Sequence, residues 1–190
     1  HFFSSRLFSG LTLNNSFYDY DISGTDVPGE AFSLSHRINS SALKADINWF
    51  PGSRNEFNFG TDLIRYDVLP GSIRPFGDSS IVIPETIERQ RAWESAVYFE
   101  DKYILTEHLS LNAGIRLSSC FAFGPGTFYF YDDKYPRSIS SITDTVSFGR
   151  SQNYRTYLGP EFRLSLNYRM NDNSAIKINY NRTRQYLHLL

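Results

Sequence analysis

The chain has 190 residues, with 19 basic and 20 acidic side chains, 13 Tyr, 16 Phe, 2 Trp and a single cysteine. A formal charge of −1 leaves no polybasic stripe to displace phosphate counterions, which excludes the footprint of a nucleic-acid binder. Cys120 alone builds neither a disulfide framework nor a cysteine zinc cage. The mean hydropathy is −0.38, and no apolar run approaches the ~20 residues of a spanning helix. From His1 onward there is no charged and then apolar leader, so a signal peptide is either already removed or outside the sequence. What stands out is 16% aromatic residues in so polar a chain. The excess must serve something other than a simple buried core.

Apolar residues recur with period 2 throughout, and almost nowhere with helical period. The first strand is expected at about 4–20, with loose alternation over 6–14. The second, at 41–50, sets Leu43, Ala45, Ile47 and Trp49 against Lys44, Asp46 and Asn48. A third follows at 56–69 and a fourth at 89–105. The fifth, at 109–123, is the clearest: Leu109, Leu111, Ala113, Ile115 and Leu117 face one way, and Ser110, Asn112, Gly114, Arg116 and Ser118 the other. The sixth, at 155–170, places Phe162, Leu164, Leu166, Tyr168 and Met170 opposite Glu161, Arg163, Ser165, Asn167 and Arg169. The seventh spans 174–187. Seven of the eight prolines fall in or beside connections; Pro160 alone lies inside a strand, where it should mark a bulge or an exposed edge.

The connections alternate in length. Short turns rich in Gly, Pro, Asn and Asp fall at 51–55, 106–108 and 171–173, whereas 21–40, 70–88 and 124–154 form long links. Strands of ~10 residues or more, with short turns at one end and long loops at the other, characterise an antiparallel transmembrane β-barrel. Lys44, Asp46, Arg116, Glu161, Arg163, Arg169 and Lys177 share one face, which a barrel turns to a wet lumen. Leu111, Ala113, Ile115, Leu117, Phe162, Leu164 and Leu166 would then meet lipid. Trp49, Phe50, Tyr103 and Tyr168 stand just before the short turns, where an interfacial aromatic girdle belongs.

The runs ESAVYFED at 94–101 and LSLNAGIR at 109–116, with the stretches 57–71 and 159–190, resemble TonB-dependent outer-membrane receptors. Glu94, Ala96, Tyr98, Glu100 and Asp101, then Leu109, Ser110, Asn112, Gly114 and Arg116, match an E-x-A-x-Y-x-E-D strand, a short turn and an L-S-x-N-x-G-x-R strand. The closing hairpin is similar through Pro160, Arg163, Leu164, Ser165 and Leu166, and through Arg182, Thr183 and the 185–190 stretch; so is an earlier strand at 57–71. No plug domain, TonB box or C-terminal aromatic residue is visible. Seven strands fall short of that family's ~22-stranded plugged barrel, so residues 1–190 are expected to be an internal segment of one barrel domain. The resemblance implies an importer in the bacterial cell outer membrane, taking up a glycan, metal chelate or vitamin. Its partners would be lipid, the rest of the barrel, a plug, the TonB complex and, in some receptors, a surface lipoprotein. A small stand-alone barrel and a secreted carbohydrate-binding β-sandwich are the alternatives.

Signals for catalysis are weak, and no enzymatic role or cofactor is expected. There is no G-x-S-x-G, P-loop or H-E-x-x-H pattern, and His1, His36, His108 and His188 lie far apart. Glu94 and Glu100 share a face, but ~20 Å of extended strand separates them, so they are expected to pair with Arg116, Arg163 or Arg169. Residues 21–26 lack a complete calcium-loop spacing. The loop residues Phe128, Tyr129, Phe130, Tyr131 and Tyr135, beside Asp132 and Asp133, are the candidate ligand-binding group. Aromatic rings of this kind stack on sugar faces or close over a ligand; the alternative is a hairpin whose rings pack on each other.

Overall fold

The computed structural model describes residues 2–186; the apolar 187–190 stretch lies outside them. The strands are β1 (Phe2–Ser4), β2 (Leu7–Gly24), β3 (Phe32–Trp49), β4 (Asn55–Pro75), β5 (Glu85–Thr86), β6 (Gln90–Ile104), β7 (Leu109–Phe123), β8 (Gly126–Tyr131), β9 (Ile142–Phe148), β10 (Asn153–Asn171) and β11 (Ser174–Arg182). β1-β2-β3-β4-β6-β7-β10-β11 form one antiparallel meander, with β5 added to β4, while β8 and β9 make a separate hairpin. All seven expected long strands are present. The sheet curls into a half-barrel, and side chains two strands apart meet on its concave face: Tyr98 on β6 bonds Asp46 on β3, and Arg116 on β7 bonds Asp62 on β4.

Register explains how the curl sorts the side chains. Leu13, Leu43 and Leu63 lie on one outward rung, and Leu11, Ala45, Thr61, Val97, Leu117 and Pro160 on the next. Ile115 and Phe162 are neighbours, as are Ala113 and Leu164, and Leu111 and Leu166. Thus the seven residues expected to meet lipid share the convex face. That face is the exposed one: Leu13 is 76% accessible, Leu11 71% and Ile178 62%. The concave face inverts the soluble pattern, since Ser118 is 0% and Glu161 6% accessible. Polar groups are buried there beside small apolar ones such as Ala92 and Ala96, while the large apolar side chains crowd the exposed face, the reverse of a core that hides them from water.

Three short turns close one rim, and their side chains fix them. Thr106 Oγ1 accepts from the N–H groups of His108 (3.3 Å) and Leu109 (3.0 Å), and Asn171 Oδ1 accepts from Asn173 N–H at 2.9 Å. Outward aromatics gather near this rim: Trp49 and Phe57 stack with centroids 5.4 Å apart, and Tyr103 and Tyr168 follow on later strands. Phe50 does not belong to them. Its ring packs edge-on against Phe8 at 5.8 Å on the concave side, because one residue past Trp49 the side chain has switched face. Pro160 lies beyond the β10–β11 ladder, which begins at Phe162, so it occupies the expected one-sided edge.

The long links are shorter than their sequence suggests. β3 starts at Phe32, so the 21–40 link shrinks to 25–31, and β4 continues to Pro75 within the expected 70–88 loop. Ser33, Ser35, Arg37, Asn39 and Ser41 place polar side chains on the outward face, so the apolar band stops below them. Side chains join the ladder there: Arg37 pairs with Asp19 at 3.0 Å, and Ser41 donates to Asn15 at 2.8 Å. The 124–154 link holds β8 and β9.

Candidate functional site: the concave face and its loop rim

A cavity of about 530 Å³ opens on the concave face, lined by side chains from β2 to β10 that include Lys44, Asp46, Asp62, Glu100, Arg116 and Arg163. Its floor is a connected charge network. Asp46, Gly60 and Tyr98 are register partners on three adjacent strands, and the Tyr98 hydroxyl donates to Asp46 across the glycine. A Cβ on Gly60 would run into the Ala45 carbonyl and stand 2.6 Å from that hydroxyl oxygen; only a residue without one fits between the backbone of β3 and the ring. Lys44 Nζ lies 3.1 Å from Asp46, and both Lys44 and Arg116 sit over the Tyr98 ring, at 5.7 and 5.9 Å from its centroid.

Arg116 bridges two carboxylates: it pairs with Asp62, and its Nε lies 3.9 Å from Glu161. Ser118 donates to Glu161 at 2.6 Å. Opposite charges from the adjacent strand β10 and from β4, two strands away, thereby offset the cost of their partial burial. Glu100 differs from expectation. It accepts from Asn112 at 2.8 Å rather than from an arginine, and Arg169 reaches the Glu107 carbonyl at 2.7 Å near the short-turn rim. The reason is register: Glu100 faces Gly114 on β7, one rung away from Arg116. Arg163 makes no ion pair among the described residues. No group of three His, Cys, Asp or Glu side chains among them is placed to hold a metal ion. Cys120 is buried on the concave side, opposite Glu94.

At the loop rim, β8 and β9 lift the candidate aromatics above the sheet. Phe128 points into a cluster with Phe148 (5.6 Å) and Tyr154 (4.9 Å), which fastens the hairpin to the top of β10. Tyr131 lies beneath the Arg137 guanidinium at 5.7 Å. Tyr129, Phe130 and Tyr135 are exposed. The five rings do not converge: alternation along β8 puts Phe128 and Phe130 on one face and Tyr129 on the other, with a register shift before Tyr131. Phe128 and Tyr131 make the contacts that hold the hairpin, and Tyr129, Phe130 and Tyr135 stay exposed. Phe148 and Tyr154, the other half of the anchor, carry no local signal, since their role depends on a pairing some 20 residues long. The hairpin also leans on its neighbour: Glu88 accepts from the Thr127 N–H at 3.2 Å. The loop before it is tied down in turn, with Phe76 N–H on the Ala31 carbonyl and Ile81 N–H on that of Gly29.

With this geometry the chain can be set beside known proteins. No protein-family model matches it, and no curated protein does. Among solved structures it is similar to the ferric-catecholate import receptor Fiu from E. coli K12 in its open form, with 16% identity and a TM-score of 0.54. The chain has the fold of a β-barrel segment. The likeness covers 98% of this chain and 34% of that receptor, so the chain spans about a third of its length. No helix among the described residues is long and apolar enough to cross a membrane.

Proposed function

We propose that residues 1–190 form part of one barrel domain of a TonB-dependent receptor in the bacterial outer membrane. This receptor would import a ligand of the glycan, metal-chelate or vitamin class. One observation carries the reading: the convex face is a continuous exposed apolar band, while the concave face buries a charge network that only a wet interior would solvate. Strand length, the asymmetry of turns and loops, and likeness to an import receptor support it. In lipid, an unpaired strand edge costs several kcal/mol per unsatisfied group. Among the described residues β11 is paired only with β10, so its other edge calls for further barrel strands.

In this reading the long-loop rim faces outward from the cell. There Tyr129, Phe130 and Tyr135 stack on the arriving ligand, while Phe128 and Tyr131 hold the hairpin. The concave charges meet the plug and the passing ligand, TonB supplies the energy from the periplasm, and a surface lipoprotein is a further candidate partner. The role is transport rather than catalysis. Cysteines placed at Tyr135 and at Asp172 test the orientation in intact cells. A membrane-impermeant maleimide should label the first and spare the second; labelling at Asp172 refutes the topology, and recovery of the protein in the soluble fraction refutes the membrane reading.

A further inference from the structure

The convex wall carries a second recess, at the upper edge of the apolar band. It is a shallow groove of about 430 Å³, within the ~300–1,000 Å³ of small-ligand sites. Leu13, Leu43 and Leu63 form its lower part, and Asn15, Arg65 and Trp93 its upper part. Register makes the arrangement a step. The three leucines occupy one outward rung, and Asn15, Ser41, Arg65, Trp93 and Phe121 occupy the next toward the long loops. Hydrophobic wall thus gives way to a guanidinium and an indole within two residues, ~7 Å along the strand.

The charge there is unbalanced. Arg65 makes no ion pair among the described residues. One rung higher, Asp67 is shared by Arg89 at 3.5 Å and Arg91 at 3.4 Å, so three guanidiniums stand near one carboxylate. An outward cation above an apolar groove, flanked by a tryptophan, fits an amphiphile with an anionic head and an acyl tail.

We propose that this step is a binding site for one anionic, phosphate-bearing membrane lipid. Arg65 takes the phosphate oxygens, Trp93 lies at the level of the lipid's polar–apolar junction, and an acyl chain follows Leu63, Leu43 and Leu13. Guanidinium and phosphate suit each other through paired charge-assisted hydrogen bonds. The inference rests on the membrane-spanning reading above, and goes beyond it by fixing a head-group chemistry to named residues.

Native mass spectrometry of the intact protein in neutral detergent tests it, with dilauroyl phosphatidylglycerol, dilauroyl phosphatidylcholine and inorganic phosphate as the probes. The wild type should retain phosphatidylglycerol about tenfold better than phosphatidylcholine, and inorganic phosphate should not compete at equal concentration. Arg65→Gln, which breaks no ion pair, should abolish the preference, and Arg65→Lys should keep part of it. Equal retention of both lipids by the wild type, or an unchanged preference in Arg65→Gln, overturns the site. Competition by inorganic phosphate alone overturns the lipid as its occupant. Heat-modifiable migration of each variant separates the two readings. A folded barrel without lipid preference sinks only the lipid site, whereas a wild type that never folds in micelles sinks both.

Discussion

Leu164→Arg, set against Ser165→Arg, tests the sorting of the two faces by moving one charge a single residue along β10. Leu164 points outward at 47% accessibility, and the outward run on its strand extends from Leu158 to Tyr168. Leu164 is thus ~13 Å along the strand from one end of the run and ~20 Å from the other, at ~3.3 Å per residue. A strand tilt of ~40° reduces these to ~10 and ~15 Å of depth, near the middle of a ~25 Å apolar band. Arginine at that depth should cost about 2–4 kcal/mol. Ser165 faces inward and donates to Asn179 at 2.7 Å, and its β7 partner Asn112 bonds Glu100. Arginine there loses one hydrogen bond, about 1 kcal/mol, and gains a carboxylate within reach. The two variants should therefore differ by at least ~1–2 kcal/mol, roughly tenfold or more in the folding equilibrium. Urea titration of the protein folded into lipid vesicles, followed by tryptophan fluorescence and by gel mobility without heating, measures both. Equal midpoint shifts would refute the assignment of faces.

Gly60→Leu should displace the Tyr98 ring from Asp46 and cost about 1–3 kcal/mol by overpacking, whereas Gly10→Leu, where nothing approaches a Cβ, should cost less; equal losses in the same titration would contradict the close approach. A double-mutant cycle with Asp62→Asn and Arg116→Gln should return a coupling of about 0.5–3 kcal/mol, and additive losses would show that the pair is idle. Joint replacement of Tyr129, Phe130 and Tyr135 by alanine should lower ligand capture about tenfold, taking ~1 kcal/mol or more from lost ring stacking, with the unfolding midpoint unchanged. Phe128→Ala should do the reverse: it should speed proteolysis within 126–148 by loosening the hairpin, and an unchanged cleavage rate would place the anchor elsewhere.

The seven long strands, clearest in β7 and β10, and the division into two faces were legible from alternation alone, whereas the short strands β1, β5, β8 and β9 were not. Within the apolar band each side chain contrasts lipid with a wet interior, so every residue reports its face. Above the band Ser33, Ser35, Arg37, Asn39 and Ser41 take the outward positions of β3, so the apolar-out pattern of 43–49 is lost, which is why the upper half of that strand reads as loop. The side of Phe50 was misread for a related reason, since proximity in sequence to Trp49 does not survive a period of two. The aromatic composition of 128–135 marked a special loop, but which rings anchor it and which stay outward depended on Phe148 and Tyr154, brought together by pairing and packing. Likewise the polar residues of the interior were visible one by one. Their pairing, Tyr98 with Asp46 and Arg116 with Asp62, was decided by register across skipped strands and by the curl that brings those strands within reach. Local sequence fixes the direction of a side chain; its partner comes from residues far along the chain, so that choice belongs to the tertiary structure.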